Sequence, residues 1–239
     1  MKKNKKVEEF NNQEKKVEEF NNQEILSSEI LFPSAIYSVN KTSLLPMVKT
    51  VVDENLALIS KETSLDEIYP VRMTGNLIND PQMKEFCKYV GDTAWGILYS
   101  QGYQMNGLST FFLEMWAQEH HKHSAMEQHT HGFGSQLVGF YFIDVPENSS
   151  KVVFHDAKAA KVQINLPEID STQATFASNT INFTPKPGLL MFTNSWLAHS
   201  FSRHASDQAL TFIHFNIAVN AAPPQNNSEE ICVAPAEII

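Results

Sequence analysis

The chain has 239 residues, of which 42% are hydrophobic and 19% charged, and this length and composition predict one globular domain with short appendages. Its formal net charge of -9 argues against a general nucleic-acid binder, because such proteins need a basic surface. No apolar run reaches the roughly 18 residues of a membrane span, and no apolar core follows the basic start as it would in a secretory signal. We predict that Cys87 and Cys232 are reduced thiols of a cytoplasmic protein.

The N-terminus contains a tandem duplication, in which KKVEEFNNQE at residues 5–14 recurs at residues 15–24. Each copy has a single phenylalanine, so the repeat buries little surface and is too short for a solenoid unit. We therefore predict a flexible tail at residues 1–24. The globular domain, with a helical N-terminal part, is expected at residues 25–219, and a C-terminal extension at residues 220–239.

The first half of the domain predicts one short strand and two helices. The segment ILFPSAIYSVN indicates an opening strand, and SLLPMVKTVVDENLAL indicates a helix that tolerates Pro46 in its first turn. In the next helix, Asp80 is a suitable N-cap, Pro81 the first helical residue and Gly102 a natural stop. Apolar residues recur between them at helical spacing, which gives this helix one buried face.

After Leu108 the pattern changes to short segments rich in aromatic and β-branched residues, which favour strands. These segments are LSTFFLEMWA, QLVGFYFI, KVVFH, TINFT, GLLMFTN and ALTFIHFNIAV, and turn-forming residues separate them. Several short strands with turn signals are typical of a sandwich or barrel. We therefore predict an α+β protein whose helices pack on one side of an antiparallel β-core.

Two histidines in the segment EQHTHGFGSQ, His129 and His131, are spaced so that both side chains point to one face of a strand. Neutral imidazole suits iron, zinc, copper and nickel. His199, after a later apolar strand, is the best candidate for a third ligand. An isolated His-x-His pair is more often a surface feature than a metal site. We interpret His120, His121 and His123 as an exposed loop rather than a second metal site.

Four motifs together resemble a family of 2-oxoglutarate and Fe(II)-dependent oxygenases found often in marine phages and bacteria. They are HTH, GFYFI, VVFHDAK and PKPGLLMFTNSWLAHSF leading into FIHFN, and the resemblance covers most of the chain between the duplicated tail and the C-terminal exit. It implies a double-stranded β-helix, or jelly roll, with iron near one open end. It also implies that 2-oxoglutarate chelates the iron, and that its oxidative decarboxylation drives hydroxylation of a C–H bond.

By this resemblance, His129 takes the place of the first histidine of the usual His-x-Asp/Glu motif and His199 that of the distal histidine. His131 falls where the carboxylate usually lies. Three neutral ligands leave more positive charge on the iron than two histidines and a carboxylate do. Alternatively, one histidine of the pair is not a ligand and Asp156 supplies an anionic one.

A second departure concerns the distal carboxylate of 2-oxoglutarate, because a buried carboxylate needs a cationic partner. In resembling sequences an arginine precedes the FIHFN strand, whereas this chain has Leu210 and Thr211 there. Lys158 and Arg203 are the substitutes that the sequence offers. Three further candidates for co-substrate binding lie on predicted strands. They are Tyr141, His214 and Asn216.

Three functions remain open on the sequence. The first is an Fe(II)/2-oxoglutarate-dependent oxygenase that hydroxylates a protein side chain or a small molecule. The second is a catalytically inactive jelly roll that serves as a binding or virion-associated interaction module. The third is a cupin-like metal enzyme that does not use 2-oxoglutarate, although Gln136 stands where cupins place a glutamate. The expected location is the cytoplasm, that of the host if a phage encodes the chain, and homo-oligomerisation is left open.

Overall fold

The computed structural model describes residues 27–164 and 166–222. The duplicated tail, Cys232 and the C-terminal extension after residue 222 lie outside the described residues. The chain divides into two units, Met1–Pro33 and Ser34–Ile239. The described residues of the first unit, 27–33, contain no helix or strand. All the elements below belong to the second unit.

Two helices lie in the first half of this unit. Helix α1 spans Leu45–Glu62, with a proline in its first turn as predicted, and helix α2 spans Lys84–Ser100. A short 3-10 turn precedes α2, and there the Asp80 carboxylate accepts a hydrogen bond from the Gln82 backbone N–H at 2.8 Å. The predicted cap therefore holds the 3-10 turn that leads into the helix. Neither helix is long and apolar enough to cross a membrane, and the same is true of every helix in the described residues.

Within residues 27–164 and 166–222, ten strands form two antiparallel sheets. Their bounds are β1 Ile36–Asn40, β2 Val71–Met73, β3 Leu108–His120, β4 Met126–His129, β5 Leu137–Asp144, β6 Val152–His155, β7 Thr180–Phe183, β8 Leu189–Asn194, β9 His199–Phe201 and β10 Leu210–Ala221. The larger sheet has the order β1-β8-β5-β10-β3-β2, and the smaller has the order β4-β9-β6-β7. The two sheets face each other across an aromatic core.

Strand β10 shows how alternation separates the two faces of the larger sheet. Ile213, Phe215 and Ile217 pack against the apolar faces of the helices, whereas Leu210 and Phe212 belong to the core between the sheets. Helices α1 and α2 thus cover one face of the larger sheet, and the smaller sheet covers the other. The predicted architecture, helices on one side of an antiparallel β-core, is confirmed.

The sequence analysis missed three short strands, β2, β4 and β9, of three or four residues each. Strands this short have no clear periodicity, and only pairing with a neighbouring strand defines them. Strand β10 runs to Ala221 and so includes the first two residues assigned to the C-terminal extension. Cys87 on α2 is a free thiol whose burial raises its pKa to about 11.

Gly139 in the middle of β5 is required by close packing. A Cβ atom at this position would lie 2.5 Å from the Met191 carbonyl oxygen and closer still to the Phe215 ring. Real Cβ atoms do not approach other atoms this closely, so any larger residue must displace β8 or the aromatic ring.

Substitution Gly139→Ala should therefore lower the free energy of unfolding by about 1–3 kcal/mol or more through overpacking. Gly96→Ala is the matched control, because a Cβ atom there meets nothing within 4 Å and the position lies inside α2. That change should stabilise the protein by about 0.5–1 kcal/mol. Urea unfolding measures both, and equal effects would contradict the packing argument.

Candidate functional site

Three histidines converge at the end of the smaller sheet. His129 ends β4 and pairs directly with His199, the first residue of β9. His131 lies just beyond β4, where its backbone N–H donates to the Ser195 carbonyl at 2.9 Å. One ring nitrogen from each of the three imidazoles lies within 4.8 Å of the others. The pairing of two short strands and one loop hydrogen bond therefore build the cluster.

Backbone carbonyls fix the tautomers of two of these rings. His129 Nδ1 lies 2.8 Å from the Glu127 carbonyl, and His199 Nδ1 lies 3.0 Å from the Leu197 carbonyl. A carbonyl only accepts, so both Nδ1 atoms carry the proton and both Nε2 atoms keep a free lone pair. Hydrogen bonds of this kind commonly orient metal-binding histidines. The two rings are thus prepared to bind a cation through Nε2.

The Nε2 atoms of His131 and His199 lie only 3.3 Å apart. Nitrogen ligands lie about 2.0–2.1 Å from a divalent metal, so two of them at a right angle are about 3 Å apart. The observed distance therefore suits two ligands of one ion. The donor set itself, three imidazoles, suits iron, nickel, copper or zinc. The residues present fit a transition metal.

Burial keeps His131 and His199 uncharged. It lowers the pKa of His199 to about 3 and that of His131 to about 4, and the neighbouring His129 adds to the effect on both. Only the neutral imidazole can bind a metal, so these two rings are ready for a cation at neutral pH without first losing protons.

A wall of polar side chains from β3 and β10 lies beside the three histidines. The His214 ring is 4.8 Å from that of His131 and 4.6 Å from that of Trp116, between centroids. His214 is fully buried, which lowers its pKa well below the usual value. Asn216, two residues on, is also buried, and its amide nitrogen donates to a Glu114 carboxylate oxygen at 2.5 Å. The predicted residues His214 and Asn216 therefore lie at the cluster.

Beyond this wall the space between the sheets is filled by aromatic rings. They are Phe140, Phe142, Phe154, Phe201 and Phe212, all buried. Phe140 contacts the histidine cluster and the wall beside it. Its ring centroid lies 5.3 Å from that of His199 and 5.1 Å from that of His214. The cluster therefore has an apolar base that excludes water from one side.

The structure places three predicted site residues elsewhere. Tyr141 faces the helices, and its hydroxyl donates to the Lys41 carbonyl at 2.8 Å, because alternation puts it opposite Phe140. Lys158 is exposed on the loop after β6. Arg203 is also exposed, and its guanidinium donates to the His123 carbonyl at 3.2 Å. The expectation that these three residues line the co-substrate site is wrong.

Asp156, the alternative anionic ligand, is also outside the cluster. Its carboxylate forms an ion pair with Lys161 at 3.0 Å, and hydrogen bonds to Lys158 and Lys161 hold its pKa low despite partial burial. The metal cluster found among the described residues contains only histidines. The alternative with Asp156 as a ligand is therefore wrong.

No cationic side chain from a strand reaches the space between the sheets. Among the described strands, only β2 contains a lysine or arginine, and that residue, Arg72, is paired with Glu119 at 2.9 Å. Leu210 faces the inner core, whereas Thr211 faces a groove outside it together with Lys49. Lys49 is itself paired with Asp144 at 2.6 Å. The missing arginine has no substitute on these strands.

Two smaller expectations are corrected as well. His120 is not in an exposed loop but fully buried at the end of β3, and burial lowers its pKa to about 3. His123 is exposed, as predicted. Gln136 is exposed and its side chain donates to the Gly134 carbonyl at 3.2 Å, so it does not act as the glutamate of a cupin site would.

The β-core that carries the three histidines is similar to a known protein family. Residues 114–216 match the model of a family described as "Putative 2OG-Fe(II) oxygenase". Over these residues, the chain is similar to the 2OG-Fe(II) oxygenase family. The match spans the β-core from β3 to β10, with all three clustered histidines. The predicted class, a 2-oxoglutarate-dependent oxygenase and hence an oxidoreductase, is confirmed. No curated protein matches the chain.

Solved oxygenase structures share the fold at low sequence identity. The epimerase SnoN, in complex with Fe3+, α-ketoglutarate and nogalamycin RO, has a TM-score of 0.55 and 11% identity over 86% of this chain and 91% of its own. A prolyl-4-hydroxylase from Pseudomonas putida has a TM-score of 0.52 and 9% identity over 79% and 95%. HygX from Streptomyces hygroscopicus, with nickel, 2-oxoglutarate and hygromycin B bound, has a TM-score of 0.51 and 11% identity over 77% and 83%. At such identities the likeness is one of fold, and it confirms the double-stranded β-helix.

Acid should destabilise the metal-free protein. His120 and His199 have pKa values of about 3 when folded, against 6.5 when unfolded, so below pH 6.5 only the unfolded state takes up their protons. The free energy of unfolding should fall by about 1.4 kcal/mol per pH unit for each histidine as pH drops from 6 to 5. Urea unfolding at several pH values measures the slope. His120→Phe should reduce the measured slope by about 1.4 kcal/mol per pH unit, and an unchanged slope would contradict the buried neutral state.

Proposed function

We propose that this chain is an Fe(II)/2-oxoglutarate-dependent oxygenase that binds iron through His129, His131 and His199 and hydroxylates a small molecule or a protein side chain. The observation that carries the proposal is the convergence of the three imidazoles, with two tautomers fixed so that Nε2 faces the shared point. Three protein ligands leave further coordination positions for the keto-acid end of the co-substrate and for oxygen.

Charge balance explains how the site can do without both a carboxylate ligand and an arginine. In the usual pattern, a carboxylate ligand adds one negative charge at the metal. An arginine adds one positive charge beside the distal carboxylate of 2-oxoglutarate. Here both are absent, because His131 is neutral and no lysine or arginine from a described strand reaches the interior. Fe(II) with two positive charges and 2-oxoglutarate with two negative charges then sum to zero, so the two departures compensate each other.

When bound, iron and 2-oxoglutarate would activate dioxygen, which is the oxidant both of 2-oxoglutarate and of the C–H bond that is hydroxylated. The chain's own residues orient the ligands and exclude water. The Glu127 and Leu197 carbonyls hold two of the imidazoles, and Phe140 closes the side of the cluster that faces the core. A dry and rigid surrounding of this kind strengthens electrostatic interactions at the metal.

The primary substrate would enter beside two exposed aromatic residues. Phe133 lies in the loop that follows His131, and Trp196 lies in the turn that leads to His199. Ser195 joins the two loops, because its N–H donates to the Gln136 carbonyl and its hydroxyl to the Ser135 carbonyl. Exposed aromatic side chains at an entrance favour binding of a partly apolar ligand.

The names of similar structures support both substrate classes. SnoN and HygX are described with the small molecules nogalamycin RO and hygromycin B, and the Pseudomonas putida protein is named as a prolyl-4-hydroxylase. The acidic charge of this chain favours either class over nucleic acid. An origin in phages, a location in the cytoplasm and the oligomeric state stay predictions.

Anaerobic titration tests the function. Purified protein should bind one Fe(II), and subsequent addition of 2-oxoglutarate should produce the visible charge-transfer band of a chelated keto acid. His199→Ala should abolish iron binding, because it removes the most buried of the three ligands. His123→Ala is the control, since this histidine is exposed and outside the cluster.

Two other outcomes would support the competing functions. Iron binding without a band would indicate a metal enzyme that does not use 2-oxoglutarate. No iron binding would indicate a catalytically inactive jelly roll that serves as an interaction module.

His131→Asp tests the charge balance. This change introduces the usual carboxylate ligand, so iron binding should persist, but it adds a negative charge that no cation offsets. We expect 2-oxoglutarate to bind about tenfold more weakly or worse, because like charges a few ångströms apart repel strongly in a buried site. The charge-transfer titration gives the dissociation constant. Tighter binding of 2-oxoglutarate by the variant would refute the compensation.

A further inference from the structure

Three side chains of the polar wall have buried polar atoms without a hydrogen-bond partner. They are the indole nitrogen of Trp116, both ring nitrogens of His214 and the side-chain oxygen of Asn216. His214 is buried to 97%, since only 3% of its surface is exposed. Leaving such a group without a partner costs about 1–3 kcal/mol. A cluster of unpartnered groups in one place is therefore best explained by a ligand that supplies the missing partners.

These groups alternate on the inner faces of two paired strands. Trp116 of β3 pairs directly with His214 of β10, and Glu114 pairs with Asn216. Their side chains therefore point into the same space between the sheets, where the His214 ring also contacts His131 and Phe140. The unpartnered nitrogens thus lie one ring away from the metal cluster.

We propose that the indole N–H of Trp116 and a ring N–H of His214 bind the distal carboxylate of 2-oxoglutarate, in place of a cationic side chain. This inference rests on the proposed function. It requires no lysine or arginine, because a divalent metal held by three imidazoles, without a carboxylate ligand, already supplies the two positive charges that balance the co-substrate.

The chemistry of the wall selects these two residues. The Trp116 indole can only donate, and neutral His214 donates through one ring nitrogen whichever tautomer it adopts. The free atom of Asn216 is an acceptor, and its amide nitrogen is engaged by Glu114. Asn216 therefore cannot offer a donor without breaking that bond, and we leave it out of the carboxylate site.

Glu114 sets a limit on the position of the carboxylate. Its own carboxylate is exposed and bound by Asn216, at the outer end of the wall. A ligand carboxylate beside it would be repelled, so the carboxylate should lie against the edge of Trp116 and His214 that is farther from Glu114. We therefore expect the ligand carboxylate to bind at the inner part of the wall, next to Phe140.

Two keto acids separate this inference from the function itself. 2-Oxoglutarate and 2-oxopentanoate share a five-carbon chain and the metal-chelating end, but only the first has a distal carboxylate. Each is titrated anaerobically into the Fe(II) protein, and the charge-transfer band gives both dissociation constants. The unaltered protein should prefer 2-oxoglutarate, and the ratio of the two constants measures recognition of the distal carboxylate.

Trp116→Phe keeps the ring and removes the N–H, and His214→Leu removes both ring nitrogens at similar volume. Each should reduce the preference for 2-oxoglutarate about tenfold to a hundredfold, as expected for a hydrogen bond to a charged group. Binding of 2-oxopentanoate and of iron should change by less than about twofold. His214→Gln retains a donor and should restore part of the preference.

The chain offers matched controls for both changes. Trp95→Phe removes an indole N–H that donates to the Leu108 carbonyl on the helix side, and His120→Phe removes a buried imidazole that contacts Phe201 and Phe212 rather than the cluster. Neither should alter the preference. Near-ultraviolet circular dichroism and the melting temperature establish that each variant is folded.

A measurement on the unaltered protein avoids dependence on variant folding. The chain has three tryptophans, so the 15N-labelled zinc form gives three indole N–H signals, and loss of one in Trp116→Phe assigns that residue. Addition of 2-oxoglutarate, but not of 2-oxopentanoate, should shift the Trp116 signal downfield.

Three results would overturn the inference. One is an unchanged preference in both Trp116→Phe and His214→Leu. Another is equal indole shifts with the two keto acids. The third is loss of iron in His214→Leu, which would make His214 a metal ligand. In contrast, absence of a band with either keto acid in the unaltered protein would refute the proposed function, and this inference with it.

Discussion

The pairing of two very short strands is the constraint on which the rest of the site depends. Strands β4 and β9 have four and three residues, yet they place His129 directly opposite His199. Neither strand is stable alone, so the pairing of β9 with β6 and the aromatic core must hold β9 in register. Because side chains alternate, a slip of one residue would turn His199 away from the cluster and Ser200 towards it. The packing of the core therefore determines the geometry of the metal ligands.

Electrostatics links the ligands to the rest of the interior. Burial keeps His131 and His199 neutral, and the strands bring no lysine or arginine into the space that they enclose. Without an ion the site is thus close to uncharged, which makes the absence of a cationic partner acceptable. An arginine in this interior would need a carboxylate beside it, and a carboxylate ligand at residue 131 would need an arginine. The absent carboxylate ligand and the absent arginine are therefore linked, because each removes the charge that would balance the other.

The sequence predicted the long elements because they have strong local signals. Asp80 and Pro81 marked the start of α2, and alternating apolar residues marked β5 and β10. It also predicted the three histidines as candidate ligands, although alternation on a strand was only part of the reason for their convergence. His131 lies outside β4, and its hydrogen bond to Ser195 joins residues 64 positions apart, which no local pattern contains. Tyr141, Lys158 and Arg203 were misplaced for the same reason, since the orientation of a side chain depends on the strands around it. No local signal in the sequence indicates that the Trp116 N–H lacks a partner, because its environment is formed by distant strands.

The interior is divided into two regions with different consequences for the ligand. At one end the polar groups of Trp116, His214 and Asn216 lie beside the three histidines, and at the other the phenylalanines pack tightly together around the buried His120. A dicarboxylate co-substrate cannot extend into the phenylalanine region without displacing these packed rings. It must therefore lie along β3 and β10, where unpartnered donors exist, and this direction leaves the opposite side, towards Phe133 and Trp196, for the primary substrate. The same aromatic packing that keeps β9 in register thus also determines how a ligand can lie at the metal.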